Sequence, residues 1–284
     1  MADPITVTRI RELRVALDAD RAVARSVGFV PTMGALHEGH TSLMAQARQR
    51  DDVVVTSIFV NPLQFGPSED FEAYPRDVER DTAIVARQGV DVLFVPEAGE
   101  MYPEPLRTTV TVAGLSDRLE GESRPSHFAG VATVVAKLFN IVGPCRAYFG
   151  EKDFQQLVTV QQLVRDLSFP IQVVGCPTVR ELDGLAMSSR NGYLTADERA
   201  AAPVIYRALQ SGAAAILAGE RDATAVHDLM AAVIDAEPLA QLDYVAVGDA
   251  DSLSVPEQLV GNIRLLAAVR FGRTRLIDNV GVTV

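Results

Sequence analysis

Two imidazoles three residues apart are the most chemically suggestive feature of the chain. His37 and His40 close the segment Phe29-Val-Pro-Thr-Met-Gly-Ala-Leu-His37-Glu-Gly-His40. A short apolar run over residues 27–30 passes through the turn residues Pro31 and Gly34 into a helix-compatible stretch that carries Leu43, Met44 and Ala47. A strand that feeds a helix N-terminus makes an anion site, because free backbone N–H groups and the helix dipole face the same way. Two histidines there can donate to phosphate oxygens. Gly39 between them leaves room for a nucleotide against the backbone. The segment therefore points to ATP phosphates and to chemistry on them. If one ring must be charged in order to donate, activity falls at alkaline pH. Two other readings of the pair stay open. One is zinc, although zincin histidines stand at i and i+4 rather than i and i+3, and no cysteine lies nearby. The other is a pair of ordinary polar residues at a helix start.

Three further constellations follow strand-like runs. Asn61-Pro62-Leu-Gln64 lies just past the run 53–60, and its two amides suit a ligand with hydroxyl and carboxylate groups. A plain Asn-Pro turn with a solvated glutamine is the alternative. Gly150-Glu-Lys152-Asp153-Phe-Gln-Gln156 offers a close backbone approach, a fixed positive charge and an amide one turn into a helix. Asp153 as an N-cap and Lys152 as a surface lysine are the bland counterparts. Met187-Ser188-Ser189-Arg190-Asn191 follows a Gly184 turn and brings two hydroxyls and a guanidinium, all phosphate donors. Such a loop could close over a triphosphate, and it is equally ordinary linker composition. Arg124 and His127 sit in a loop that either faces the site or lies on the surface. Asp77, Glu79 and Asp81 form an acidic run suited to Mg²⁺ or to a solvated helix face.

These residues need a scaffold, and the composition allows one. The 284 residues are 48% hydrophobic and 22% charged, a globular profile ample for a sizeable core. The formal net charge of -11, with scattered Arg and Lys, argues against nucleic-acid binding. Cys145 and Cys176 have no CxxC partner and suggest buried thiols in a reducing compartment. The N-terminus lacks the signature of a signal peptide, and no apolar stretch is long enough for a membrane span, so a soluble cytoplasmic protein is expected.

Candidate strands at 27–30, 53–60, 90–95, 146–149 and 171–176 are apolar rather than alternating, as for parallel strands covered on both faces. Candidate helices lie between them at 41–50, 76–88, 129–142 and 153–167, the third apolar on most sides. This α/β alternation predicts a Rossmann-like, doubly wound parallel sheet over residues 1–177 that binds nucleotide and acid substrate. After Asn191 the chain turns alanine-rich, with helical stretches at 196–218 and 222–236. A strand at 242–247 and a hairpin over 263–271 and 274–276 follow. Residues 178–284 are therefore predicted as a smaller α+β lid domain.

The segments Pro31-Thr-Met-Gly-Ala-Leu-His-Glu-Gly-His40, Phe59-Val-Asn-Pro-Leu-Gln-Phe65, Gly150-Glu-Lys-Asp-Phe-Gln-Gln156 and Met187-Ser-Ser-Arg-Asn191 stand in one order and spacing. Together they resemble the pantoate–β-alanine ligase (pantothenate synthetase) family of the nucleotidyltransferase superfamily. The resemblance spans nearly the whole chain, including residues 74–76, 124–128 and the C-terminal hairpin. It implies an ATP-dependent condensation of pantoate with β-alanine to pantothenate, AMP and pyrophosphate through a pantoyl adenylate. It further implies a cytoplasmic homodimer without nucleic-acid or membrane partners.

Carried over by position, the resemblance gives His37 and His40 to the phosphates. Lys152, Ser188, Ser189 and Arg190 would hold the triphosphate and the leaving pyrophosphate. Gln64 and Gln156 would grip pantoate, Asn61 the adenylate and the attacking amine, with Arg124 and His127 alongside. Pro31, Met33, Gly39, Gly150, Asp153, Val179 and Met187 would line the adenosine site. Mg²⁺ would bridge the phosphates, with Asp81 as its protein carboxylate. The chain departs from the family pattern at Arg80, where a second acid can occur, and at Phe154, where tyrosine is frequent. Competing readings are an AMP-transferring enzyme of the same superfamily, a short aminoacyl-tRNA synthetase and a nucleotide sensor without catalysis. The substrate amides, the acidic short chain and the intact His37, His40, Lys152 and Arg190 argue against them in turn.

Overall fold

Runs of Val, Ile and Phe that do not alternate with polar residues need cover on both faces, and here they receive it. The computed structural model describes residues 3–66 and 71–284. Six strands, β1 (Ile5–Val7), β2 (Val27–Thr32), β3 (Val53–Ile58), β4 (Val92–Phe94), β5 (Cys145–Gly150) and β6 (Ile171–Cys176), form one parallel sheet in the order β1-β4-β3-β2-β5-β6. Every residue of β3 is buried. The helix His127–Val142 is buried on most sides, as its apolar composition requires.

Two N-terminal elements were among those not expected from the sequence. Strand β1 is three residues long and pairs with β4 alone, at the sheet edge. The helix Ile10–Ala22 buries only Leu13 and Leu17, one turn apart, beneath a charged surface. Neither leaves a broad apolar pattern.

Strand order positions the chemistry. From β2 the chain winds outward through β3 and β4, whereas β5 and β6 lie on the other side of β2. The order reverses between β2 and β5, and open α/β sheets bind ligands outside the carboxyl ends of strands at such a reversal. The ends of β2, β3 and β5 are Thr32, Ile58 and Gly150, each directly ahead of a polar segment. The opposite end is closed by an ion-pair cluster. Buried Asp51 accepts from Arg146 Nη1 at 2.6 Å and from the Tyr148 hydroxyl at 2.6 Å. A Cβ on Gly28 would lie 2.7 Å from Asp51 Oδ2, so this cluster requires glycine in β2.

The chain divides into two compact units, Met1–Glu151 with Gln156–Pro177, and Lys152–Gln155 with Thr178–Val284. The division differs from the expected one by the four residues Lys152–Gln155. Their tie to the second unit is physical: the Arg264 guanidinium stacks 3.8 Å from the Phe154 ring centroid, and Asn279 Nδ2 donates to Lys152 O at 2.8 Å. Strands β7 (Gln241–Asp249), β8 (Asn262–Phe271) and β9 (Thr274–Thr283) make an antiparallel sheet in that unit. Helices Val204–Leu217 and Ala223–Asp235 share its core. The single helix expected over 196–218 is two, Ala196–Ala201 and Val204–Leu217, because Pro203 has no N–H to continue the first. Among the described residues no helix is long and apolar enough to cross a membrane.

Both cysteines are free; Cys145 is half-buried and Cys176 buried. Burial pushes the Cys176 thiol up to about 11. A raised folded-state value means that its stabilising contribution is full below the unfolded pKa of about 8.5 and is lost as pH rises towards the folded value. Denaturant titrations at pH 7.5 and 10 should show a loss of about 1–2 kcal/mol from this group. The pH-dependent loss should shrink in Cys176→Ala; an unchanged loss contradicts the assignment.

Candidate active site

After β2 the chain must reverse into the helix Glu38–Arg50, and it does so through left-handed backbone. Gly34 has φ +81° and Ala35 φ +51°. A non-glycine residue there costs about 1 kcal/mol or more, so the turn needs an external restraint. Asp81 supplies it. Its Oδ2 accepts from Ala35 N at 2.8 Å and its Oδ1 from Leu36 N at 2.9 Å, on a carboxylate buried to 1% exposure. Thr32 Oγ1 adds a bond from Gly34 N at 3.2 Å.

The turn delivers His37 to the N-cap of the helix. Its Nδ1 accepts from Gly39 N at 3.1 Å, and the backbone N of His37 donates to His40 Nδ1 at 3.3 Å. This is a capping box built from two imidazoles. The rings lie 4.1 Å apart between centroids. With both Nδ1 atoms accepting, both rings are neutral and carry their proton on Nε2. Donation to an anion thus needs no extra proton, and acid rather than alkali breaks the arrangement. The alkaline fall expected from the sequence was conditional on a charged ring, and these bonds hold uncharged ones. Gly39 also has a different role from the expected one: a Cβ there would meet His37 Cε1 at 2.8 Å, so the space it leaves belongs to the His37 ring.

Behind β3 a short turn carries the amides. Asn61 caps the 3₁₀ helix Pro62–Gln64, with Oδ1 accepting from Leu63 N at 3.3 Å and from the Tyr102 hydroxyl at 2.9 Å. Its Nδ2 donates to Gln64 Oε1 and to Gly130 O, each at 3.1 Å. Gln64 Nε2 donates to Met33 Sδ at 3.0 Å, which ties this turn to the histidine turn. Gln64 O accepts from His127 Nδ1 at 3.0 Å and from Arg124 Nη2 at 3.4 Å, so both residues reach this turn, His127 from the first position of a helix rather than from the expected loop. Gly130 permits the approach; its Cβ would stand 2.3 Å from Leu63 O.

Asn61 is 1% exposed and its four hydrogen-bonding positions are filled by protein. It supports Gln64 through the bond from its Nδ2. Gln64 is 8% exposed, and Pro31 and Gln156 are half-buried, Pro31 near the carboxyl end of β2 and Gln156 in the helix that follows β5. A Cβ on Gly150 would meet open space, as a site for an approaching ligand requires.

In the second unit Lys152 Nζ lies 3.2 Å from Asp153 Oδ1. Residues 179–187 fold back as a narrow hairpin, with Met187 N donating to Val179 O at 3.0 Å. Arg180 clamps it, reaching Asp278 Oδ2 at 2.5 Å, Asp278 Oδ1 at 2.9 Å and Gly184 O at 3.0 Å. Ser188 then caps the 3₁₀ helix Ser189–Tyr193, accepting from Arg190 N at 3.3 Å. The Ser188-Ser189-Arg190 segment is therefore capped structure between a clamped hairpin and a helical turn, rather than linker.

Asp81 does not fit a metal site. Both its oxygens hold the 35–36 turn, and among the described residues no group of three His, Cys, Asp or Glu could hold an ion. The sequence reading missed Tyr102, Thr32 and Gly130 altogether. Tyr102 meets its partner 41 residues away in sequence, and only the short helix Ala98–Met101 before it hints at a fixed position.

A sequence model described as pantoate-beta-alanine ligase matches residues 5–281. The chain is 54% identical over 276 residues to a pantothenate synthetase of Geobacillus kaustophilus, covering 97% of this chain and 92% of the relative. It superposes on the crystal structure of pantothenate synthetase from Thermus thermophilus with TM-score 0.93 and 49% identity, covering 99% and 100% of the two chains. Pantoate-beta-alanine ligase from Francisella tularensis, complexed with beta-gamma ATP and beta-alanine, superposes with TM-score 0.78 and 34% identity, covering 98% and 97%.

The capping geometry has a direct spectroscopic consequence. At neutral pH, ¹⁵N shifts of His37 and His40 should show protonated Nε2 and unprotonated Nδ1. Acidification should protonate Nδ1 and loosen the first turn of the helix together. A neutral-pH imidazolium, or an Nδ1–H tautomer, contradicts the capping box.

Proposed function

The chain belongs to the pantoate-beta-alanine ligase family and is an ATP-dependent ligase of pantoate and β-alanine; we propose that it works through a pantoyl adenylate, with its residues divided as follows. The observation that carries this reading is the turn after β2. There two neutral imidazoles, each held at Nδ1 by backbone, stand at a helix N-terminus next to a supported glutamine amide.

In the first half-reaction a pantoate carboxylate oxygen attacks the α-phosphorus of ATP. The bond from that phosphorus to the bridging oxygen breaks, and pyrophosphate leaves with the electron pair. In the second, the neutral amine of β-alanine attacks the acyl carbon. The bond to AMP breaks, and the nitrogen loses its extra proton. Neither step needs an enzymic nucleophile. Both need aligned reactants and fixed donors where negative charge grows. His37 and His40 supply Nε2–H donors to the phosphates. Lys152, Ser188, Ser189 and Arg190 serve the triphosphate and the departing pyrophosphate. Gln64 and Gln156 hold pantoate, with Arg124 and His127 fixing the backbone of Gln64. Pro31, Met33, Gly150, Asp153, Val179 and Met187 are assigned to adenosine.

Mg²⁺ is read as part of the nucleotide substrate, because the carboxylate assigned to it from sequence is committed to the turn. The formal charge of -11 supports small-molecule partners rather than nucleic acid. A homodimer in the cytoplasm completes the proposal, on the family resemblance.

The test is pyrophosphate release from ATP with pantoate alone, then AMP formation on adding β-alanine. Pantoate-dependent pyrophosphate followed by β-alanine-dependent turnover is the expected result. Release with another acid but none with pantoate overturns the substrate assignment. Lys152→Ala should lower the first half-reaction by about a hundredfold or more without loss of fold, and near-normal turnover refutes its role. Asp81→Asn should reduce kcat by about tenfold through the misplaced turn while leaving the Mg²⁺ dependence unchanged. A shifted Mg²⁺ requirement would return Asp81 to the metal.

A further inference from the structure

The polarity of Gln64 is set from outside the substrate site. Leu63 N–H can only donate, so the atom of Asn61 that receives it is Oδ1. Gly130 O can only accept, so the atom facing it is Nδ2. The Asn61 amide is thus oriented by two backbone groups, and the Tyr102 hydroxyl must donate to Oδ1. Because Nδ2 also donates to Gln64, the atom of Gln64 that faces it is Oε1, and the NH₂ points the other way, to Met33 Sδ. Reversing Gln64 would set two donors against each other. Thioether sulfur is a weak acceptor, readily replaced by an oxygen.

From this geometry we infer that Tyr102 is a positioning residue for pantoate: through Asn61 it holds Gln64 with its NH₂ towards the substrate, so that Gln64 recognises an oxygen acceptor. The Tyr102 bond to Oδ1, at 2.9 Å, is the shorter of the two that Oδ1 accepts, the Leu63 bond being 3.3 Å. The ring is held independently of its hydroxyl. It meets Phe59 edge-on at 5.9 Å, has Lys137 Nζ 5.8 Å from its centroid, and its backbone N donates to Ala98 O at 2.7 Å. Burial also raises the hydroxyl's pKa, which keeps it a donor across the working pH range. Tyr102→Phe therefore removes one hydrogen bond and little packing.

The inference rests on the pantoate reading, and the experiment separates the two. Wild-type pantoate-dependent pyrophosphate release is measured first; its absence overturns the substrate reading and with it the ligand named here. Given that activity, Tyr102→Phe should raise the pantoate KM about fivefold, the usual weight of one hydrogen bond, with the ATP KM and the melting temperature little changed. In a Gln64→Ala background the same substitution should add less than about twofold, because its effect passes through Gln64. Equal rises in both KM values, or a full additive effect in that background, overturn the relay. Gln64→Glu tests the polarity without touching Tyr102. It keeps the acceptor towards Asn61 and replaces the donor, so the pantoate KM should rise at least as far as in Gln64→Ala. A Gln64→Glu enzyme with near wild-type pantoate KM shows that Gln64 accepts from its ligand and overturns the inference.

Discussion

The Asp81 carboxylate holds the turn that positions His37 and His40, and the rest of the candidate site is arranged around it. It is buried, and it spends both oxygens on the N–H groups of Ala35 and Leu36. Burying a carboxylate is costly unless it is hydrogen-bonded, and here the bonds go to backbone that would otherwise be strained and unpaired. The left-handed Ala35 and the buried acid solve each other's problem. From that turn follow the position of His37, the capping of the helix Glu38–Arg50 and the tautomers of both rings. Arg80 Nη1, 3.6 Å from Asp81 Oδ1, adds a partial counter-charge from a half-exposed side chain.

A second dependence runs through glycine. Gly39 and Gly130 are not conformational hinges; each lacks a Cβ because something specific fills the space. At Gly39 it is the His37 ring, and at Gly130 it is the Leu63 carbonyl, which brings the amide turn against the helix His127–Val142. The site is thus assembled by close backbone approach from rigid elements; backbone donors and acceptors orient His37 and Asn61, and Asn61 in turn orients Gln64. That is what fixed electrostatic catalysis requires, since a donor that must reorient during the reaction gives back part of its benefit.

Much of the fold was legible because its signals are local. Apolar runs marked strands β2 to β6, of which β2, β3 and β4 are buried almost throughout and the edge strand β6 only in part, though 90–95 begins two residues ahead of β4. Gly-Arg between two apolar runs marked the β8–β9 hairpin. Strand β1 was silent because three edge residues carry no pattern, and the helix Ile10–Ala22 because two leucines make too narrow a stripe. The candidate residues were legible as types: donors for phosphate, amides for an acid. Their division of labour was not. Asp81 in an acidic run looks like a metal ligand until its oxygens are seen on residues 35 and 36, and the four protein partners of Asn61 leave no trace in the sequence around it. Such assignments depend on partners tens of residues away, which spacing along the chain does not encode.

The neutrality of His37 and His40 has a mechanistic consequence. A charged imidazolium would bind ATP more strongly before reaction, and binding that is equal in ground and transition states does not raise kcat. In the proposed mechanism, neutral Nε2–H groups at a helix N-terminus attract the triphosphate less, yet their bonds would strengthen as charge accumulates on the phosphate oxygens around the α-phosphorus. In the proposed division Lys152 and Arg190, the cations assigned to the triphosphate, are the groups for ground-state binding and the departing pyrophosphate. The proposed assignment thus gives neutral donors to the reacting phosphorus and charged ones to the leaving group, a division that would direct stabilisation to the bond that breaks.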